Sequence, residues 1–169
     1  MKVLLLLRHA KATREPVNDD AARPLAPEGE DTAARIGRFL AAAGVVPDAL
    51  LTSPAIRARD TLERVAAAAG WEAPRQERPL YETTPAGVLA CLRELPAAVD
   101  LVVAVGHEPT WSDTASRLIG GGNLRLATCA VAAVGLDIQG WGALAGGRGQ
   151  LLWLVSPKLL PRTGDIAAK

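Results

Sequence analysis

Cysteine and histidine are scarce in this chain of 169 residues, which holds two of each: Cys91, Cys129, His9 and His107. The cysteines are isolated, with neither a CxxC pair nor a disulfide framework. That spacing argues against a stapled secreted scaffold and a cysteine-ligated zinc, and it suits a reducing compartment. Both are expected to be small buried hydrophobes. Two histidines far apart in sequence, without a carboxylate ligand pattern nearby, also make a poor metal site. Long apolar runs are missing too. Only five apolar residues, Val3 to Leu7, separate Lys2 from Arg8, too few for a signal-peptide core or a membrane span. A cytoplasmic protein without membrane contact is expected. Charge bias is absent as well: 19 basic and 18 acidic residues are interspersed, for a net charge of +1. No broad basic face announces nucleic acid, so any anion site must be local. The sequence leaves the oligomeric state open.

What is present is an alternation of two patterns. Val3–Leu7 is apolar at every position, as in a strand covered on both faces, and similar runs recur at 48–53, 101–107, 129–136 and 151–156. Between them lie helical periodicities. The first runs from Pro27 through Ala33, Ile36, Phe39 and Leu40 to Gly44. The second is expected to start at Ser53-Pro54, with Ser53 as N-cap, and to reach Gly70. A third opens at Thr84-Pro85 and extends to about Leu95. A fourth follows Pro109 and ends in the glycines 120–122. Strands alternating with helices predict a single α/β domain over residues 1–160, a three-layer α/β/α sandwich with a mostly parallel central sheet. Residues 140–150 read as a flexible turn and 161–169 as a loose C-terminal tail.

In an open α/β sheet, ligands bind beyond the carboxyl ends of the strands. Arg8 and His9 end the first apolar run and His107 ends the third, so both histidines of the chain reach that edge. Arg57 is a second oddity. It falls near the start of the second helix, where the dipole disfavours a cation by a few tenths to about 1 kcal/mol. A bound anion would reverse the local field. Phosphate is the natural choice, because guanidinium forks match its oxygens and helix N-termini add backbone donors. Arg59, by contrast, is expected to pair with Glu63 on the helix surface. Trp71, Trp111, Trp141 and Trp153 are assigned to packing rather than ligand stacking.

Four segments in order carry a family resemblance. "LRHAKA" resembles the RHG motif of the histidine phosphatase superfamily, with Ala10 in place of the usual glycine. "RPLAPEGE" (23–30) is similar to its RPLTxxG element, "TSPAIRARDTLE" (52–63) to its SPxxRAxxT segment, and "AVGHEPTWS" (104–112) to its second-histidine segment. The compact length, "RHAK" and the closing "SPKLLP" look most like the SixA subgroup of small phosphohistidine phosphatases.

The resemblance implies a cofactor-independent phosphatase in which His9 is the nucleophile that takes the phosphoryl group. Arg8, Arg57 and His107 would surround its oxygens, and no metal is required. Arg23 would stand at the substrate edge of the pocket, with an exposed loop arginine as the alternative. The general acid of larger members corresponds to Glu82, with Glu108 as the rival unless it serves the following helix as an N-terminal carboxylate. The substrate expected is phosphohistidine on a protein, such as a histidine-containing phosphotransfer domain. Small phosphomonoesters, nucleotide or sugar phosphates, are the alternative. A non-catalytic phosphate-binding module is disfavoured by the presence of both histidines.

Overall fold

The computed structural model describes residues 1–15 and 18–162; most of the expected tail, residues 163–169, lies outside the described residues. The uninterrupted apolar run at the N-terminus forms β1 (Lys2–Arg8) near the middle of a six-stranded sheet. Its neighbours are β4 (Leu101–Gly106), parallel, and β5 (Val131–Leu136), antiparallel. Beyond β4 lie β2 (Ala49–Thr52) and the two-residue β3 (Arg75–Gln76); beyond β5 lies β6 (Gly149–Val155). The sheet is therefore mostly parallel, with β5 running against its neighbours. The exposed β3 had no apolar signature by which to be expected.

Alternation along β1 divides the core into two layers. Leu4 and Leu6 join one apolar cluster with Leu89, Leu92, Trp111 and Leu118, whereas Leu5 and Leu7 join the other with Ile36, Leu40, Leu62 and Val65. The first layer is built by α3 (Pro85–Arg93) and α4 (Thr110–Leu118), the second by α1 (Pro27–Ala42) and α2 (Ile56–Ala69). Helices on both faces make the three-layer α/β/α arrangement. No helix among the described residues is long and apolar enough to cross a membrane.

Three local expectations need correction. Ser53 is not the N-cap of α2: the helix begins at Ile56, and its cap residue, Ala55, makes no side-chain bond. The segment 140–150 is not loose. Trp141 is fully buried in a short 3-10 turn and donates its indole N–H to the Val99 carbonyl at 2.8 Å, which anchors the connection between β5 and β6. Cys129 is buried as expected, but Cys91 is only half-buried.

Candidate active site

Two adjacent parallel strands bring the histidines together. Arg8 on β1 is in register with Gly106 on β4, and the His9 N–H donates to the Gly106 carbonyl at 3.0 Å. His9 and His107 thus leave the same sheet edge side by side, with ring centroids 5.2 Å apart. Gly106 has a packing role here. A β-carbon at this position would overlap the indole of the fully buried Trp111, which itself donates to the Ala104 carbonyl at 3.1 Å.

The His9 ring has a defined tautomer. Nδ1 lies 2.8 Å from the Ala10 carbonyl, and because a carbonyl can only accept, Nδ1 carries the proton and Nε2 keeps its lone pair. Burial, reinforced by the Arg57 and Arg8 charges, lowers the His9 pKa to about 4, so the ring is neutral at pH 7. Burial also lowers His107 to about 3. The His107 Nε2 is 2.9 Å from Ser53 Oγ, while its buried Nδ1 has no partner among the described residues. Ser53, misread as a helix cap, is thus a support for the second histidine. Tyr81 packs edge-on against the same ring at 5.9 Å.

Thr61 ties the loop that follows β1 to α2. Its Oγ1 accepts from the Ala10 N–H at 2.9 Å and donates to the Arg57 carbonyl at 2.6 Å. The loop is pinned from the other side as well: the Ala26 N–H donates to the Lys11 carbonyl at 2.8 Å, and a β-carbon on Gly29 would overlap that carbonyl. The glycine of "RPLAPEGE" is therefore a close-approach position.

Arg57 is the second residue of α2, closer to the positive end of the helix than expected. An anion does face it, but it belongs to the chain. Arg57 Nη2 is 2.8 Å from Asp20 Oδ2, and Nη1 donates to the Asp20 carbonyl at 2.6 Å. Arg23 is also committed to this carboxylate, with Nε at 3.1 Å and Nη2 at 2.9 Å. The Arg23 hydrogen bond first, then the Arg57 charge, hold Asp20 below the usual carboxylate range. Asp20 sits in a single 3-10 turn, Asp20–Ala22, and had no sequence pattern to mark it. Arg59 is closest to Asp60, at 2.7 Å, with Glu63 farther away at 3.7 Å.

The expected phosphate ligands face two cavities rather than one. Arg57 and His107 line a pocket of about 190 Å³ together with Asp20, Tyr81, Glu82 and Glu108. Arg8 lines a groove of about 800 Å³. One guanidinium nitrogen of Arg8 donates to the Leu126 carbonyl at 2.9 Å, and its buried Nε has no partner among the described residues. His9 is next to Arg8 in the chain, and its ring is tilted 55° to that of His107. Glu82 is exposed at the pocket edge, with a left-handed backbone at φ 49°. Both carboxylate oxygens of Glu108 are occupied by Ser112, at 3.1 Å from its N–H and 2.6 Å from its hydroxyl, so Glu108 serves the start of α4.

Residues 4–85 match the family model of the histidine phosphatase superfamily (branch 1). An uncharacterised protein of Mycobacterium tuberculosis (strain H37Rv) is 39% identical over 107 residues, which are 63% of this chain and 65% of that protein. The match thus spans just under two thirds of that relative's length. An uncharacterised Picosynechococcus protein is 33% identical over 165 residues, covering 94% of this chain and 99% of its own. Among solved structures, the protein histidine phosphatase SixA complexed with tungstate superposes with a TM-score of 0.78 at 28% identity, covering 92% of this chain and 97% of that one.

Proposed function

The chain belongs to the histidine phosphatase superfamily, and on that premise we propose that it hydrolyses phosphohistidine carried on a protein, through a covalent phosphohistidine at His9. The observation that carries this reading is the His9 tautomer, with Nδ1–H held by the Ala10 carbonyl and Nε2 unprotonated beside His107. A neutral imidazole with a fixed free lone pair is a competent nucleophile at pH 7.

In the first step Nε2 attacks phosphorus as the bond to the leaving group breaks, and the leaving group takes the bonding pair. In the second, water attacks phosphorus, the Nε2–P bond breaks, and His9 recovers its lone pair as inorganic phosphate departs. Charge on the equatorial oxygens needs donors already in place. The Arg57 and Arg8 charges both act on His9 although the two side chains line different cavities, and with His107 they are assigned this role, Ser53 and Thr61 holding His107 and the nucleophile loop. The SixA relative is described with tungstate, a tetrahedral oxyanion like phosphate, which supports an oxyanion site here.

Hydrolysis of small phosphomonoesters is the second reading. Glu82 favours it, since an exposed carboxyl at the pocket edge could protonate an ester oxygen. An imidazole leaving group can depart already protonated and needs no such acid. Turnover on a histidine-phosphorylated phosphotransfer domain, compared with a panel of nucleotide and sugar phosphates, separates the two. The first reading expects the domain to be preferred; preference for an ester rejects it. His9→Ala is expected to lower turnover by at least about a thousandfold and to abolish the labelled phosphoenzyme, with an unchanged circular dichroism spectrum. A variant that kept full activity would remove His9 as the nucleophile.

A further inference from the structure

The pocket lined by Arg57 and His107 and the groove lined by Arg8 have opposite character. Around the smaller pocket the charged side chains are Asp20, Glu82 and Glu108 against Arg57. Around the larger groove they are Arg8, Lys11, Arg35, Lys158 and Arg162 against Glu28, among the described residues. In a chain of net charge +1, this is a local concentration of positive charge joined to the nucleophile through Arg8. We propose that the groove is the docking surface for the acidic face of the protein that presents the phosphohistidine. This rests on the protein phosphatase reading above and adds the surface by which that substrate is held.

The groove is built to present charge from a fixed frame. Arg35 on α1 donates to the carbonyls of Pro157, Leu160 and Pro161, at 2.6 to 3.0 Å, and so pins the segment that follows β6. Those acceptors are neutral, and Arg35 is also ion-paired with the Asp31 carboxylate one helical turn before it, at 3.9 Å. Arg35 thus acts mainly as the brace of the groove, and the exposed cation on that braced segment is Lys158. Lys11 is paired with Glu28, but both side chains are at least half exposed, so the pair can open to an incoming carboxylate at little cost.

A second feature adds an apolar contact. In the turn Pro157–Leu159, Pro157 is buried, Lys158 is exposed and Leu159 is 77% exposed. A large apolar side chain held on a pinned turn beside a cation suits a protein surface better than a small free phosphate. Interfaces take affinity from a few desolvated anchors and take orientation and encounter rate from complementary charge. With Asp20, Glu82 and Glu108 around the smaller pocket, an acidic partner is steered to the groove and away from that pocket.

The test uses the full chain and two variants, Lys158→Ala and the charge reversal Lys158→Glu with Leu159→Asp. The probes are an acidic histidine-containing phosphotransfer domain, phosphorylated on histidine, and free phosphohistidine. The double variant is expected to lose about tenfold in kcat/KM on the domain, mostly through KM, and to stay within about twofold on free phosphohistidine. Lys158→Ala is expected to lose less and in the same direction. Wild-type kcat/KM on the domain is expected to fall between about 50 and about 300 mM salt, more steeply than that of the double variant. Equal wild-type and variant rates on the domain, or equal losses on both probes, overturn the docking surface. Binding of the labelled domain, read by fluorescence anisotropy, separates this proposal from the catalytic one. Weaker binding by the variants upholds the surface even if phosphohistidine is not hydrolysed, whereas unchanged binding, or preference for a single-stranded oligonucleotide, overturns it.

Discussion

The Asp20 carboxylate stands 2.8 Å from the Arg57 guanidinium, so the cation best placed for a phosphoryl oxygen already has an anion of its own. Asp20 is 56% exposed, and an ion pair open to water on one side contributes roughly 0.2–1 kcal/mol. A phosphate bound at Arg57 would compete with that carboxylate and be repelled by it. Asp20→Asn is therefore expected to tighten competitive inhibition by inorganic phosphate about threefold. A weaker inhibition constant would mean that the carboxylate is needed to aim Arg57.

The pH response follows from two buried imidazoles. Burial pushes His9 down to about 4 and His107 down to about 3, whereas the unfolded chain takes up these protons near 6.5. Between those values the unfolded state binds more protons, so stability declines as pH falls below about 6.5 and continues to decline toward the folded-state values. The urea midpoint is expected to be lower at pH 5 than at pH 7, and replacing both histidines by glutamine is expected to remove much of the difference. The acidic limb of kcat/KM is expected near pH 4 if His9 governs it. A limb near 6.5 would show a solvated ring.

Gly106 sets the approach of α4 to the sheet. Gly106→Ala forces a methyl group into the Trp111 indole, which is fully buried and hydrogen-bonded. Overpacking of this kind costs about 1–3 kcal/mol. Thermal denaturation is expected to show the loss, along with reduced turnover because His107 is the next residue. A variant as stable as the wild type would show that Trp111 can move aside.

Glu82 is proposed to separate the two substrate classes. Glu82→Gln is expected to lower ester hydrolysis about tenfold or more and to leave phosphohistidine hydrolysis nearly unchanged, since only the oxygen leaving group needs a proton. Equal losses on both substrates would contradict that division.

The two histidines were legible because uninterrupted apolar strands declare where they end, and a parallel sheet gathers those ends on one edge. Register did the rest, placing Arg8 opposite Gly106. Ser53 was misread because Ser-Pro is a good helix-start signal, and nothing local reveals that its hydroxyl belongs to a histidine 54 positions away. Asp20 was invisible for a related reason. A three-residue turn has no periodicity, and its partner Arg57 lies 37 positions on. Likewise, the glycines of 140–150 suggested looseness, while burial of Trp141 depends on packing that no short window contains. Patterns that repeat along the chain could be read; pairings across it could not.

Because β1 gives Leu4 and Leu6 to one layer and Leu5 and Leu7 to the other, the strand that leads into His9 is shared property of both halves of the core. Melting either layer strips one side of that strand and lets the imidazole drift from its neighbour. Partial denaturation is therefore expected to leave no catalytic remnant, activity being lost with the first cooperative step whichever half gives way.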